Sequence, residues 1–545
     1  MNLTNSQKII VIAVIISVTA YILWPSSSDK ASSSSSKKQS SSVHASAPRA
    51  PMRRFRIDSV DGAQEKPPRP YEQKHIDSTR IAPGQKTLTA SSYEQYLSIL
   101  ERLAQLGIRP LGVSETLRSI KVILDDNTLA RLKREFDELN AANDTLVWIP
   151  EDYIEPWSGR LGPSFGPHLL DWLGIDAFKE KRGKGVTVAV LDTAISKATV
   201  NPNANIKQID LFGFSQDAAE AGHGNAVASL LVANNGALTG LAPSIELLSI
   251  PVLDADGTGS AFDVAQGIVT AVDSGADIIS MSLGSYSYNS LMKIAVDYAA
   301  SNGVVIVASS GNDGVNQVVY PAAFDNVIAV GAVAANSQIA GFSNSGSQVS
   351  IAAPGVGINS AWTEDSGIVS FSGTSAAVPC VVGVIANILS DNGGSLSPTE
   401  AATLVVNNAV DNGAPGQDDT YGNGVLNYVR AAESGTPGII DAAAAGHFLD
   451  TANATETSVP LIVSAQNTGT EQLATMTLTV VVNGAEQSFT FVDVKPGETV
   501  SSIIPVSVEQ IENNGTVRIS SFVSTPNDNR PGNETKTSVV SISEE

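Results

Sequence analysis

Residues 371–379 read Phe-Ser-Gly-Thr-Ser-Ala-Ala-Val-Pro and lead into an apolar segment that predicts a helix over Ala376–Leu389. This turn puts the hydroxyl of Ser375 beside the start of the helix, where backbone N–H groups have no partners within the helix. An oxyanion there would meet hydrogen-bond donors and the positive end of the helix dipole. Serine is also a common helix cap, so Ser375 alone does not distinguish a nucleophile from a cap.

An aspartate and a histidine precede this turn in comparable settings. Residues 185–193 read Gly-Val-Thr-Val-Ala-Val-Leu-Asp-Thr, a pattern that predicts a buried parallel strand with Asp192 at its C-terminal end. Open α/β sheets carry their sites at that edge, and no Gly-x-Gly-x-x-Gly turn follows to indicate a dinucleotide site. Residues 222–228 read Gly-His-Gly-Asn-Ala-Val-Ala, and the glycines beside His223 allow another group to approach closely. A single histidine at a helix start is more often structural.

A fourth polar residue follows a second buried strand. Residues 304–314 read Val-Val-Ile-Val-Ala-Ser-Ser-Gly-Asn-Asp-Gly, which predicts a strand ending in a tight turn at Asn312. Asparagine is a common turn residue, and on its own this would be the better interpretation. Taken singly, each of these residues could be structural. The aspartate, histidine, asparagine and serine motifs occur together, however, and this favours a shared functional site.

In this order along the chain, the motifs resemble those of the subtilisin family of serine proteases, whose order differs from those of chymotrypsin and the α/β-hydrolases. The resemblance covers about residues 157–433. It implies an α/β fold with a doubly wound parallel sheet. It further implies that Ser375 is the nucleophile, His223 the base, Asp192 the residue that orients the base, and Asn312 a donor to the oxyanion.

The resemblance also implies a cleft for protein or peptide substrates. The segments after two of the strands are expected to bind substrate, through Ser282, Leu283, Gly284, Ser309, Ser310 and Gly311. Asp313 would border the primary specificity pocket, which hints at basic or polar substrate side chains. Relatives often have a cis peptide at the position of Tyr320-Pro321, and we predict one here.

The predicted chemistry requires no cofactor. Asp254-Ala-Asp256-Gly looks like half of a calcium loop, but the full spacing of ligands is absent and a substrate loop is the better interpretation. No catalytic metal is expected. Many relatives bind structural calcium, which stays open here without assigned ligands.

A second class of function is the alternative to the enzyme. The chain could be a catalytically silent surface binding protein that keeps a subtilisin scaffold and works through its C-terminal region. The presence of Asp192, His223, Asn312 and Ser375 favours the enzyme, a serine endopeptidase, because such silent relatives typically lose at least one of these groups.

Charge and cysteine content limit the partners further. The net charge is −22, and residues 156–545 hold 13 basic and 37 acidic side chains. Nucleic acid is therefore not an expected partner, because no basic stripe exists to neutralise phosphates. The single cysteine, Cys380, excludes an intrachain disulfide, and its apolar surroundings predict a buried, inert thiol.

The N-terminal segment predicts export. Ile9–Trp24 is an apolar run that is long for a signal peptide and short for a spanning helix, so residues 1–25 are either a signal-anchor or a signal peptide. A signal-anchor would tether the protease to the membrane through residues 9–24, outside the cytoplasm. Residues 26–77 are rich in Ser and Pro and predict a disordered linker.

Residues 78–155 predict a small α+β unit that resembles the ferredoxin-like subtilisin propeptide, an intramolecular inhibitor. Helices are expected over Ser92–Leu106 and Asn127–Leu139, and strands over Leu117–Leu124 and Thr145–Tyr153. A generic α+β module is the alternative. As a propeptide, its segment 154–160 would pair with residues 280–284, and self-cleavage would give a chain starting between residues 155 and 166.

The bounds of the remaining domains follow from amino-acid composition and from the alternation of apolar and polar residues. The peptidase domain is expected over residues 156–435, and Gly, Pro and Ala predict a linker over 436–447. Residues 448–545 alternate between apolar and polar, and Asn483-Gly484 is a hairpin signal. This pattern suggests an immunoglobulin-like β-sandwich with no motif for a particular ligand.

Overall fold

The computed structural model describes residues 54–59, 81–150, 153–155, 163–179, 181–214, 222–363 and 365–543. The predicted signal segment, residues 1–25, lies outside this part of the chain. The helices are α1 Tyr93–Gln105, α2 Asp126–Glu135, α3 Leu169–Leu173, α4 Lys197–Val200, α5 His223–Val232, α6 Ala261–Asp273, α7 Ser290–Ser301, α8 Thr374–Asp391, α9 Pro398–Asn407, α10 Tyr428–Glu433 and α11 Val508–Asn514.

The strands in the described ranges form five sheets. They are β1 Arg54–Ser59, β2 Ile81–Thr89, β3 Gly112–Ser114, β4 Ser119–Ile123, β5 Asn140–Trp148, β6 Tyr153–Glu155, β7 Thr187–Asp192, β8 Ile206–Gln208, β9 Glu246–Pro251, β10 Thr258–Ser260, β11 Ile278–Met281, β12 Val305–Ser309, β13 Val327–Val333, β14 Val349–Pro354, β15 Ile358–Ala361, β16 Ile368–Ser372, β17 Ala442–Leu449, β18 Ser458–Asn467, β19 Leu473–Val482, β20 Ala485–Val494, β21 Thr499–Ser507, β22 Thr516–Ser524 and β23 Thr535–Ser543.

A seven-stranded sheet has the order β14-β13-β12-β11-β7-β9-β8, and all of its pairs are parallel. Its strands are runs of apolar and β-branched residues, as a sheet covered on both faces requires. Separate apolar cores lie on the two faces. The predicted doubly wound α/β fold is confirmed, and the parallel order brings the carboxyl ends of β7, β11 and β12 to one edge.

Helix α8 packs within one of these cores. It is the one helix in the described part of the chain that is long and apolar enough to cross a membrane, but 89% of that window is buried inside the protein. Its composition is therefore that of a core helix. Cys380 lies on α8 and is buried, as predicted, and this burial raises the pKa of its thiol.

Residues 81–150 form four strands and two helices around a small apolar core of their own. The helices expected over Ser92–Leu106 and Asn127–Leu139 correspond to α1 and α2, although α2 ends at Glu135. The strand expected over Leu117–Leu124 corresponds to β4, but the one expected over Thr145–Tyr153 is wrong in its bounds, because β5 ends at Trp148. The sheet order is β10-β5-β2-β4-β3, so that β10 of the peptidase region completes a sheet begun by the N-terminal unit.

The predicted pairing of residues 154–160 with 280–284 is wrong in register. Trp148 instead exchanges both backbone hydrogen bonds with Gly284, at 3.0 and 2.9 Å. The Ile149 N–H donates to the Gly257 carbonyl at 3.1 Å, and residues 153–155 pair with β16. Register depends on which side chains and turns on the two strands match in space, and the alternation of one strand does not reveal this.

The C-terminal strands form two antiparallel sheets that enclose one apolar core. Strand β17 begins at Ala442, inside the linker predicted over 436–447, because pairing with β18 outweighs the low strand propensity of its alanines. Residues 54–59 lie in the predicted disordered linker over 26–77 but form β1, which pairs with β23.

Candidate active site

The aspartate and histidine predicted to act together are in contact. Asp192 is the last residue of β7, His223 is the first residue of α5, and His223 Nδ1 lies 2.7 Å from Asp192 Oδ1. The Thr193 N–H donates to the same carboxylate oxygen at 2.7 Å. Asp192 is fully buried and His223 is 3% exposed. A carboxylate accepts hydrogen bonds only, so this contact holds the proton on Nδ1 and leaves Nε2 as the basic nitrogen.

The predicted nucleophile lies in the first turn of the core helix α8. Ser375 is the second residue of α8 and is fully buried, and its Oγ forms no hydrogen bond with any described residue. Ser375 Oγ and His223 Nε2 are therefore not joined by a hydrogen bond. Such contacts are often long without substrate and tighten when the reacting complex assembles.

Asn312 is oriented by the residue before Ser375. It follows β12, is fully buried, and its Oδ1 accepts hydrogen bonds from the backbone N–H and the hydroxyl of Thr374, both at 2.8 Å. Because the carbonyl oxygen of the side chain is held by Thr374, the amide NH₂ group is directed to the other side. Thr374 lies next to the proposed nucleophile, and sequence reasoning gave it no role.

The predicted substrate-binding residues separate into two groups. Ser282, Leu283 and Gly284 follow β11, where Gly284 pairs with Trp148 as a neighbouring strand would. Ser309 and Ser310 are fully buried, and the Ser310 hydroxyl donates to the Asn344 carbonyl, so the Ser310 side chain supports the strand end. The Gly311 N–H donates to the Thr374 hydroxyl at 3.3 Å.

Two aromatic rings enclose His223 and had no signal in the sequence. Phe371 and Trp362 meet the imidazole edge-on, with ring centroids 5.6 and 6.5 Å away. Asn225 donates a side-chain N–H to the Trp362 carbonyl at 2.8 Å, which fixes the segment that carries this indole. Trp362 lies in an irregular segment after β15, and only the tertiary fold brings it to the imidazole.

Asp313, which was predicted to border the specificity pocket, is held by hydrogen bonds. The Asp313 carboxylate accepts a hydrogen bond from the Tyr286 hydroxyl at 2.6 Å, and the Asn344 amide donates to that hydroxyl at 2.8 Å. The peptide bond Tyr320–Pro321 is cis, as predicted. Within the described ranges, no group of three or more His, Cys, Asp or Glu side chains could hold a metal ion.

Known proteins match this region of the chain. The sequence profile of the subtilase family matches residues 183–424. A thermostable alkaline protease of Halalkalibacterium halodurans is 39% identical over 255 residues, which are 46% of this chain and 68% of the relative. Subtilisin BL of Lederbergia lenta is 38% identical over 253 residues, which are 46% of this chain and 91% of the relative.

The fold and these similarities define a serine endopeptidase with protein or peptide substrates. The chain belongs to the subtilase family.

Proposed function

We propose that the chain hydrolyses peptide bonds through Ser375, His223 and Asp192. In the first step His223 Nε2 takes the proton of the Ser375 hydroxyl as its oxygen attacks the substrate carbonyl. The imidazolium then gives this proton to the leaving amine, and an acyl-enzyme remains on Ser375 for water to hydrolyse. The contact of 2.7 Å between His223 and Asp192 carries the proposal, because it presets the tautomer that this step needs.

The oxyanion of the tetrahedral intermediate would form at the start of α8. The amide NH₂ group of Asn312 and the backbone N–H of Ser375 are the proposed donors, aided by the positive end of the helix dipole. Support comes from Thr374, whose two hydrogen bonds fix the orientation of the Asn312 side chain before substrate arrives. Donors that need no reorganisation are the effective ones.

A fluorophosphonate probe tests the nucleophile. We expect covalent labelling of the wild-type chain on Ser375 and loss of labelling in Ser375→Ala and His223→Ala. The matched control is Ser301→Ala, an exposed serine on α7, which should label normally. An unlabelled wild-type chain that also fails to cleave peptides would favour the catalytically silent binding protein.

The same enzyme would be made as an inhibited zymogen, with residues 81–150 as its propeptide. Its strand β5 pairs with β10, and Trp148 pairs with Gly284 on the other side, so the segment is held between two backbone strands as an extended substrate would be. Further along the chain, Tyr153 lies opposite Ser372, three residues before Ser375. Residues 149–153 thus connect the segment paired with Gly284 to the segment paired with Ser372, and Ser372 is close to Ser375 in the chain.

This register moves the proposed self-cleavage site upstream, to a peptide bond within residues 149–153. We expect the wild-type chain to trim itself to a form that starts between residues 150 and 153, and Ser375→Ala to accumulate uncut. N-terminal sequencing of both chains is the test. A mature form that starts between residues 155 and 166 would contradict this site and support the one expected from the sequence.

We also propose that the protease is exported. The apolar run over residues 9–24, which lies outside the described residues, is the proposed signal-anchor or signal peptide, so that the protease acts outside the cytoplasm. Fractionation of cells expressing the full chain distinguishes the two, because a signal-anchor leaves residues 1–25 in the membrane fraction. Protease found only in the cytoplasm would contradict export.

A further inference from the structure

Strand β1, Arg54–Ser59, precedes the proposed propeptide in the chain but belongs to a sheet of the C-terminal region. It pairs antiparallel with β23 over six residue pairs, from Arg54 opposite Ser543 to Ser59 opposite Ser538. In the sheet order β1-β23-β22-β19-β20 it is the edge strand, next to β23. Two segments nearly 500 residues apart in the chain are therefore joined as neighbouring strands.

The side chains of β1 alternate as those of a half-buried strand do. Phe55 and Ile57 are partly buried and pack against the apolar core of the C-terminal sheets, and Ile57 lies opposite the fully buried Val540. Arg56 lies between them, is exposed, and donates to the Asp58 carboxylate at 2.7 Å. A slip of one residue would exchange these faces, so the pattern specifies the register.

This pairing covers a sheet edge that would otherwise be open. Strand β23 has nine residues, and its own buried residues include Val540 and Ser538. A long open edge is a ready template for another strand, and proteins cover such edges or pair them. The strand that pairs here is residues 54–59 of the same chain.

Self-cleavage within residues 149–153 would place β1 and β23 on different polypeptides. We propose that β1 remains paired with β23 after the cut, so that the C-terminal β-region holds the N-terminal fragment on the mature enzyme as a donor strand. This inference rests on the proposed zymogen. The fragment would be attached in two regions, at the peptidase region through β5 and Trp148 and at β23 through β1, and release from the first region alone would not free it. Residues before Arg54 would then stay attached to the mature enzyme without a covalent link.

A pair of introduced cysteines tests the register of β1 on β23. Arg56 lies opposite Ser541, and opposite residues in antiparallel strands have Cα atoms about 4.5–5.5 Å apart, within the range of a disulfide. In the self-cleaved Arg56→Cys/Ser541→Cys chain, oxidation should link the fragment and the mature enzyme into one species that reduction separates. The native Cys380 is buried and does not compete.

The matched control shifts one cysteine by two residues on the same strand. Arg56→Cys/Val539→Cys places the two residues diagonally, about 7–8 Å apart across the strands, and should link several-fold less. Equal linking of both pairs, or none of the first, would overturn the proposal. In a Ser375→Ala background, mass spectrometry of the digested chain detects the same disulfide without self-cleavage. If this disulfide forms and the chain that keeps Ser375 is active but stays uncut, the zymogen is refuted and the strand pairing is supported.

Retention of the fragment is measured separately. Phe55→Asp/Ile57→Asp puts two charges against the apolar core and should abolish pairing, so that after self-cleavage the fragment elutes apart from the mature enzyme in size-exclusion chromatography. We expect the fragment to dissociate at least about tenfold faster, since linked attachments gain about 10²–10⁴-fold in avidity. Arg56→Gln, on the exposed face, should retain it. Co-elution of the double variant at the wild-type level would overturn the proposal.

Discussion

The hydroxyl of Ser282 donates a hydrogen bond to the backbone carbonyl of Ser375 at 3.1 Å. In a regular helix this carbonyl would accept from the N–H four residues later, but that residue is Pro379, which has no N–H. The side chain of Ser282 therefore takes the place of a missing helix bond at the first turn of α8. It also ties the end of β11 to the backbone of the proposed nucleophile.

Replacing Ser282 should disturb catalysis through the backbone of Ser375. Ser282→Ala leaves the buried carbonyl without its donor, which typically costs about 1–3 kcal/mol, and we expect a lower unfolding temperature and a kcat reduced several-fold. The matched control is Ser280→Ala, two residues earlier on β11, because the buried Ser280 hydroxyl forms no hydrogen bond with any described residue. An equal effect of the two substitutions would contradict the role of Ser282.

Removing the proposed oxyanion donor should lower kcat and leave KM within a few-fold of the wild type. For Asn312→Ala we expect a loss of about 10²–10³-fold, the magnitude established for this donor in subtilisin itself. Thr374→Val removes the hydroxyl that orients Asn312 but keeps the backbone bond, so its loss should be smaller. Steady-state kinetics on a peptide substrate measure both. A larger effect on KM than on kcat would place Asn312 in ground-state binding instead.

Lys121 should be the main electrostatic contact of the propeptide. Its Nζ lies 2.9 Å from the Asp263 carboxylate and 3.5 Å from that of Asp144, with all three side chains nearly buried. Lys121→Ala would leave two buried carboxylates without their cationic partner, which should weaken propeptide binding by about 3–5 kcal/mol. In a Ser375→Ala chain, hydrogen exchange of residues 81–150 should become much faster, whereas Lys133→Ala, on an exposed position of α2, should have little effect. Unchanged exchange in Lys121→Ala would contradict this.

Asp144 should make propeptide release dependent on pH. Burial, the largest cause, raises the pKa of this carboxyl above its ordinary value in the folded chain. The bound form therefore takes up a proton more readily than the released form, so binding is strongest below the ordinary pKa and weakens as pH rises through the raised one. The onset of activity after self-cleavage should be faster at higher pH.

Asp144→Asn is the control for this dependence. The amide can still accept the Phe262 N–H bond that Asp144 Oδ1 accepts at 3.2 Å, but it does not titrate. The rate of activity onset, divided by the activity of fully released enzyme at the same pH, should then vary less with pH. An unchanged slope would assign the pH dependence to another group.

His447 should limit the acid stability of the C-terminal sheets. Its two ring nitrogens contact the hydroxyls of Ser538 and Ser521 at 2.9 and 2.8 Å, and burial, together with Lys536, lowers the pKa of the imidazole to about 3. The unfolded chain takes up a proton below the ordinary pKa of about 6.5 and the folded chain does not. The stability contributed by the neutral ring is thus complete above that value and is lost as pH falls toward 3.

The expected loss is roughly 3 kcal/mol at pH 4, since each pH unit below 6.5 costs about 1.4 kcal/mol. Thermal unfolding followed at pH 7 and pH 4 measures it. His447→Gln should show a smaller difference between the two pH values than the wild type. His168→Gln, which changes a largely exposed histidine, should show the wild-type difference. An equal pH effect in wild type and His447→Gln would refute this assignment.

Short segments of the sequence were enough to predict the parallel sheet and the edge at which the site lies. Apolar runs ending in Asp192 and before Asn312, and an apolar helix after Ser375, indicated a buried parallel sheet and its site edge, because parallel strands end together. The tertiary structure decided everything that depends on pairing between distant segments. The register of Trp148 on Gly284 and the attachment of β1 to β23 were of this kind, as was the orientation of Asn312 by Thr374. Alternation shows which face of a strand is buried, but the partner and register of that strand are set by the surface it meets in space.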